Sequence, residues 1–235
     1  YLEHSGIRSF MVIPLVVGGA LRGALSLACV RAERAWSEED RSNIQRIGAV
    51  LSGALDRKRS HHLLERRVRF EILITDVSAR LLMTPAAELD GQIQQALAQV
   101  REFFKADRCG LLGLRDDNRF CWVTHAAYAQ GIEPVSGDIN LAELFPWTFE
   151  RLVLQGKHSK LSSIEELPPE AEAERKSRVA MGFRSAMGVP LFVEGKVAAL
   201  IMINNLHAER SWSDEYVSRL RLLGEICLGA LRRRD

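Results

Sequence analysis

Two aromatic rings and a cation, Trp147, Phe149 and Arg151, fall within five consecutive residues, and a second cation with a hydroxyl, Arg184-Ser185, opens a later strand-like run. An aromatic wall carrying a few donors suits a small anionic or planar ligand. Trp147, Phe149, Arg151, Arg184 and Ser185 are therefore the candidate ligand-binding set. The six histidines show no HExxH pattern and no Cys/His ligand spacing, so no metal site is expected. His125 on an expected strand and His158 near an expected lid are the two placed to ligate a haem; the spacing identifies no cofactor. Cys109 and Cys121, flanked by Arg108 and Arg119, lie on adjacent expected strands and can approach one another, as thiol chemistry would require. The bland reading of all four cysteines is a reduced, buried thiol acting as a small hydrophobe. Glu38-Glu39-Asp40 and Asp214-Glu215 are paired carboxylates that a helix start already explains, and no catalytic residue is expected. No glycine-rich phosphate loop is present.

These groups must be held by elements, and an internal repeat organises the elements. Gly6-Ile7-Arg8-Ser9 returns as Gly182-Phe183-Arg184-Ser185. Met11, Pro14, Leu15, Val17 and Gly19 recur as Met187, Pro190, Leu191, Val193 and Gly195, and Ala32-Glu33-Arg34, Trp36 and Ser37 as Ala208-Glu209-Arg210, Trp212 and Ser213. About 20 of about 54 positions are identical, a repeat much longer than a solenoid unit. Because Arg8 and Ser9 repeat Arg184 and Ser185, the latter pair can serve the fold as readily as a ligand. Trp36 and Trp212 read as packing anchors before a helix.

Each copy reads as strand, tight turn (Gly18-Gly19 or Glu194-Gly195), strand, loop and helix. Ser37 and Ser213 are expected N-caps. Apolar stripes at Ile44, Ile47, Leu51, Leu55 and at Leu220, Leu223, Cys227, Leu231 predict one buried face on each closing helix. Upstream of the second copy, Thr84-Pro85 reads as N-cap and first helical residue, with Leu89, Ile93, Leu97 and Val100 as a stripe. Two strands follow, 108–114 and 119–128, joined by Asp116-Asp117-Asn118, then short helices near 147–154 and 168–179. The first closing helix has no proline or glycine to stop it from Leu55 towards Leu82. Continuous from Ser37 it would be about 45 residues, or roughly 68 Å, a rod that can pair with a copy of itself.

Bulk numbers exclude several classes. In 235 residues, 47% hydrophobic, Lys plus Arg exceed Asp plus Glu by 32 minus 30, so a dedicated nucleic-acid binder is not expected. The basic run Arg57-Lys58-Arg59 to Arg69 is interrupted by Glu65 and reads as a solvated helix face. No apolar run reaches the roughly 18 residues of a membrane span. The absence of paired cysteine spacing fits a reducing cytoplasm. Tyr1 in place of an initiator Met suggests a fragment.

The run Arg184-Ser185-Ala186-Met187-Gly188-Val189-Pro190-Leu191, then Glu194-Gly195, a strand, and Trp212-Ser213-Asp214-Glu215, resembles the C-terminal half of a GAF domain, as does the first copy. Arg69-Phe70-Glu71, Asp76-Val77-Ser78-Ala79-Arg80, Ala106-Asp107-Arg108, Pro146-Trp147 and Glu165-Glu166-Leu167-Pro168 are similar to GAF domains of sensor histidine kinases and enhancer-dependent transcription activators. The resemblance implies an α+β fold: a central antiparallel sheet, terminal helices on one face, short helices and loops over a ligand cavity on the other, and a long connecting helix. It divides the chain into 1–59, the C-terminal part of a first GAF-like domain; 60–83, a linker helix; and 84–235, a complete second domain. The implied function is a cytoplasmic sensory module, binding a small molecule or partner, dimerising through terminal and linker helices, and signalling to a downstream output domain in a two-component histidine kinase. The alternative is a thiol enzyme resembling free methionine-R-sulfoxide reductase. Two GAF ligand signatures are missing: Asn204-Asn205 replaces the Asn-Lys motif of cyclic-nucleotide binders, and the bilin-attaching Cys-His pair is absent.

Overall fold

The hairpin glycines and a serine cap set the first elements. In the computed structural model, which describes residues 6–115, 118–135 and 137–234, β1 (Ser9–Val17) pairs antiparallel with β2 (Ala20–Cys29). Gly18 and Gly19 have φ of +59° and +75°, the two left-handed residues that a strand-matched two-residue turn needs. Helix α1 (Glu38–Met83) follows. Ser37 Oγ accepts from the Asp40 N–H at 3.0 Å and Asp40 Oδ2 accepts from the Ser37 N–H at 3.1 Å, a reciprocal cap. The Ser37 N–H and the Arg34 guanidinium hold the Asp40 carboxyl below its ordinary range.

The chain divides into two compact units after Val68, within α1. In the first, a Cβ on Gly48 would lie 3.0 Å from Ile13 Cγ2, so glycine permits the close crossing of helix over hairpin. The expected buried stripe holds only at half-buried Ile44: Ile47, Leu51 and Leu55 are 52%, 39% and 45% exposed. The hairpin buries Gly48 and half-buries Ile44 but leaves the other three apolar residues of the stripe exposed.

The second unit corrects one cap. Thr84 is not an N-cap; its hydroxyl donates to Arg80 O at 2.7 Å, closing the end of α1, and Pro85 leads into a 3-10 turn, Ala86–Glu88. Then come α2 (Leu89–Phe104), β3 (Arg108–Leu114), β4 (Phe120–Tyr128), β5 (Asp138–Asn140), α3 (Leu141–Leu144) and α4 (Pro146–Phe149), which runs into a π-helical turn, Glu150–Leu154. β6 (Ser159–Leu161), α5 (Glu172–Ala180), β7 (Ser185–Val193), β8 (Lys196–Asn205) and α6 (Val217–Arg234) complete it. Residues 116 and 117 of the expected β3–β4 turn, and His4, lie outside the described residues.

The six strands form one antiparallel sheet, β5-β4-β3-β8-β7-β6. Alternation assigns its faces. Cys109, Leu111, Met187, Val189, Leu191, Ile201 and Ile203 pack under α2 and α6 in the main core, beside an aromatic group of Phe70, Phe104, Trp212 and Tyr216. Leu220, Leu223 and Cys227 of the expected α6 stripe are buried there. A Cβ on Gly224 would meet Leu191 Cδ2 at 2.5 Å, so this glycine repeats the role of Gly48 one copy later. On the opposite face Leu112, Cys121 and Leu200 pack with Leu141, Phe145, Leu152 and Phe183 from the short helices and loops. The fold is the mixed α+β arrangement expected, with helices on one face and a lid on the other.

Candidate functional site

Strand register builds the site. Arg108 is paired directly with Tyr128 on β4 and with Asn204 on β8, so these three residues form one row across adjacent strands and project to one face. Their neighbours Cys109 and Ile203 project to the other face, into the main core. Beyond the row lies a cavity of about 80 Å³ between sheet and lid, with Gly110, Leu112, Leu200 and Met202 on its sheet side. Ile139, Leu141, Phe145 and Phe183 wall it, and Arg108, Asn204 and Tyr128 give it a polar end. Such a volume holds a small molecule or several waters, at roughly 10 to 15 Å³ per water.

Two buried arginines flank Phe183 and differ in their partners. The Cζ of Arg178 lies 5.7 Å from the Phe183 ring centre, and that of Arg108 4.5 Å. Arg178 is neutralised: its Nε donates to Glu174 Oε1 at 2.8 Å and its Nη2 to Thr148 Oγ1 at 2.8 Å. Glu174 also accepts from the Thr148 hydroxyl at 2.6 Å and from the Thr148 N–H at 2.9 Å. Both carboxylate oxygens are thus occupied, which is what a buried ion pair needs to offset desolvation.

Arg108 is 9% exposed, and it makes no hydrogen bond or ion pair among the described residues; its Nε is fully buried and unpartnered. Burial pushes its pKa down, with Tyr128 and Asp107 opposing. Asp107 is committed elsewhere: although burial pushes it up, N–H donors from Leu206 and His207 hold its carboxyl below the ordinary range. Opposite Arg108, Asn204 is also 9% exposed and its Oδ1 is buried without a partner. A buried, unpaired charge beside an unpaired amide costs several kcal/mol by itself. The pair is therefore an incomplete polar site at the end of an apolar cavity.

The five sequence-expected residues lie elsewhere. Trp147 packs on Leu161 and Leu167, with the Arg151 guanidinium 5.1 Å from its ring centre. Phe149 packs against the lid cluster. Arg184 is exposed and its N–H donates to Asn205 O at 2.8 Å. Ser185 is buried, and its hydroxyl donates to Ala208 O at 3.2 Å. Its repeat partner Ser9 accepts from the Arg34 N–H at 3.2 Å, tying the equivalent loop. None of the five lines the cavity. In the sequence Arg108 stood out as a thiol flank and as part of the Ala106-Asp107-Arg108 resemblance, and Asn204 as a motif departure, neither as a ligand contact. The available signal was a cation and an amide at the ends of otherwise apolar strands.

The thiols do not converge. Cys109 is register partner of Ala127 and Cys121 of Leu114, at opposite ends of the β3–β4 ladder and in different cores. Burial raises Cys121 to about 11, Cys227 to about 12, and Cys109 further. This corrects the expectation that Cys109 and Cys121 can approach. A reactive thiolate needs the opposite shift. His125 bonds Asp90 at 3.0 Å and His158 bonds Asp214 at 2.9 Å; neither lines the cavity. Among the described residues no cluster could hold a metal ion, and no helix is long and apolar enough to cross a membrane.

A family model described as "GAF domain" matches residues 1–55 and 88–231. No curated protein matches the chain. Several solved structures share the fold. The phycoerythrobilin-bound GAF domain of a cyanobacterial phytochrome is 16% identical with a TM-score of 0.57, covering 70% of this chain and 95% of that one. The GAF domain of an Acinetobacter phosphoenolpyruvate-protein phosphotransferase is 17% identical with a TM-score of 0.51, covering 68% and 91%. That of the Coxiella burnetii phosphotransferase is 13% identical with a TM-score of 0.53, covering 71% and 95%.

Proposed function

This chain belongs to the GAF domain family, and from that premise we propose that it is a regulatory sensory module whose ligand site is the cavity ending in Arg108 and Asn204. The observation that carries this reading is the unpaired, buried Arg108 guanidinium at the end of an apolar cavity. A bilin, named for one structural neighbour, is not favoured: about 80 Å³ is far below the roughly 300 to 1,000 Å³ of drug-sized pockets.

In this reading residues 1–59 are the C-terminal part of a first GAF-like domain, 60–83 a linker helix and 84–235 a complete second domain. The internal repeat, the division after Val68 and the two matched segments support it. The module acts as a cytoplasmic homodimer through its terminal and linker helices, relaying to an output domain of a two-component histidine kinase. Four free cysteines support the reducing setting. Exposed apolar residues at four-residue spacing on α1, Ile47, Leu51, Leu55 and then Leu64, Val68, Ile72, support helix pairing. Trp147, Phe149, Arg151, Arg184 and Ser185 then support the lid and hairpin around the ligand instead of touching it.

Occupancy at β3 and β8 shifts the packing of α2 and α6 on the sheet's other face only if the ligand favours one arrangement over another. Hydrogen exchange with and without a small-metabolite extract tests the relay. Altered protection in α6 together with the cavity strands is expected; protection confined to the cavity strands would overturn the relay.

A further inference from the structure

Resting on that reading of the cavity, we infer that its ligand is a short-chain 2-hydroxy monocarboxylate, its carboxylate held by Arg108 and its hydroxyl donating to Asn204. Charge selects a monoanion. Arg178 and Glu174 cancel each other in charge, which leaves Arg108 as the cation at the cavity without a carboxylate partner among the described residues. A guanidinium presents paired N–H donors that match a carboxylate.

The neighbouring group is set by what stands across the strand. Asn204, the direct register partner of Arg108, offers a buried, unpartnered acceptor, Oδ1. One acceptor is satisfied by one donor, as in a hydroxyl beside a carboxylate. An α-ammonium would bring three donors and a charge, yet no carboxylate is among the described residues that line the cavity. A keto group would leave the Oδ1 unpaired. On the other side of Arg108, the Tyr128 hydroxyl accepts from the Val135 N–H at 3.2 Å and keeps its own proton to donate to the carboxylate.

Size and polarity set the remainder. Gly110 lines the sheet side, where an added Cβ would meet Ala126 Cβ at 3.4 Å in ordinary contact. Leu112, Leu200, Met202 and Phe145 offer only carbon and sulfur to the ligand body, and about 80 Å³ admits a short aliphatic chain.

The test is calorimetric titration of the full chain with L-lactate, D-lactate and glycolate, against propanoate, pyruvate and L-alanine, paired with thermal-shift measurements. The inference expects at least one 2-hydroxy acid to bind roughly tenfold more tightly than propanoate or pyruvate, with L-alanine not binding. Arg108→Met should weaken that binding by roughly 100-fold, and Arg108→Gln should behave likewise if the methionine variant unfolds. Asn204→Leu should leave propanoate binding and remove the preference for the hydroxyl. Binding of 2-hydroxy acids no tighter than propanoate, or undiminished in both Arg108 variants, overturns the inference. If a broad panel of small acids yields a different ligand that depends on Arg108, the assigned class falls while the cavity reading stands. If no ligand binds and Arg108 variants match the wild type, both fall.

Discussion

At the residue scale, the two arginines beside Phe183 make opposite predictions. Arg178 is one half of a completed buried pair, so Arg178→Met strands Glu174 and should cost about 3 to 5 kcal/mol in denaturant unfolding. Arg108 has no partner to strand. Arg108→Met should leave the ligand-free protein unchanged or up to about 4 kcal/mol more stable. A loss comparable to that of Arg178→Met would show that Arg108 serves the fold. The cysteines supply a second residue-scale prediction. With Cys121 raised to about 11 and Cys227 to about 12, both keep their protons in the folded chain at pH values where unfolded thiols ionise. Stability attributable to them is therefore level below about pH 8.5 and falls above it, by up to about 1.4 kcal/mol per pH unit for each thiol. Native thiol labelling near pH 8 should modify half-buried Cys29 and spare the buried three. Rapid labelling of Cys121 in the folded chain would contradict the burial.

At the element scale, the glycine crossings decide how closely helix meets sheet. Gly224→Ala drives a Cβ into Leu191, which is fully buried, and should cost about 1 to 3 kcal/mol by overpacking. It should also alter any ligand response carried by α6, measured as the change in α6 exchange protection on binding. Much at this scale was legible in the sequence. The hairpin turns, the Ser37 and Ser213 caps and most of the α6 stripe are local patterns, and each formed where its residues indicated. Thr84 went the other way because its hydroxyl can serve either helix end, and it bonded back to Arg80 O. The Ile47, Leu51 and Leu55 stripe is periodic yet exposed, because periodicity reports a helical face and not what covers it. The cavity row was illegible for a different reason: Tyr128, Arg108 and Asn204 are brought together by register between strands distant in sequence. Trp147 and Arg151 stack on one another beside a lid cluster, a local pairing that composition alone could not separate from a ligand wall.

At the scale of the whole molecule, the proposed sensor has a ligand in its cavity act on helices that would pair between chains. Leu51 lies on the exposed α1 stripe, so Leu51→Glu should weaken self-association at least roughly tenfold in analytical ultracentrifugation, without touching the ligand site. An unchanged monomer–dimer equilibrium would exclude that stripe from the pairing surface. The central claim, a retained ligand held by Arg108 in a dimeric sensor, is tested most directly by native mass spectrometry of wild-type and Arg108→Met chains purified side by side. The account predicts a wild-type dimer carrying a small added mass that the variant dimer lacks; wild-type and variant chains both flying as empty monomers would contradict it.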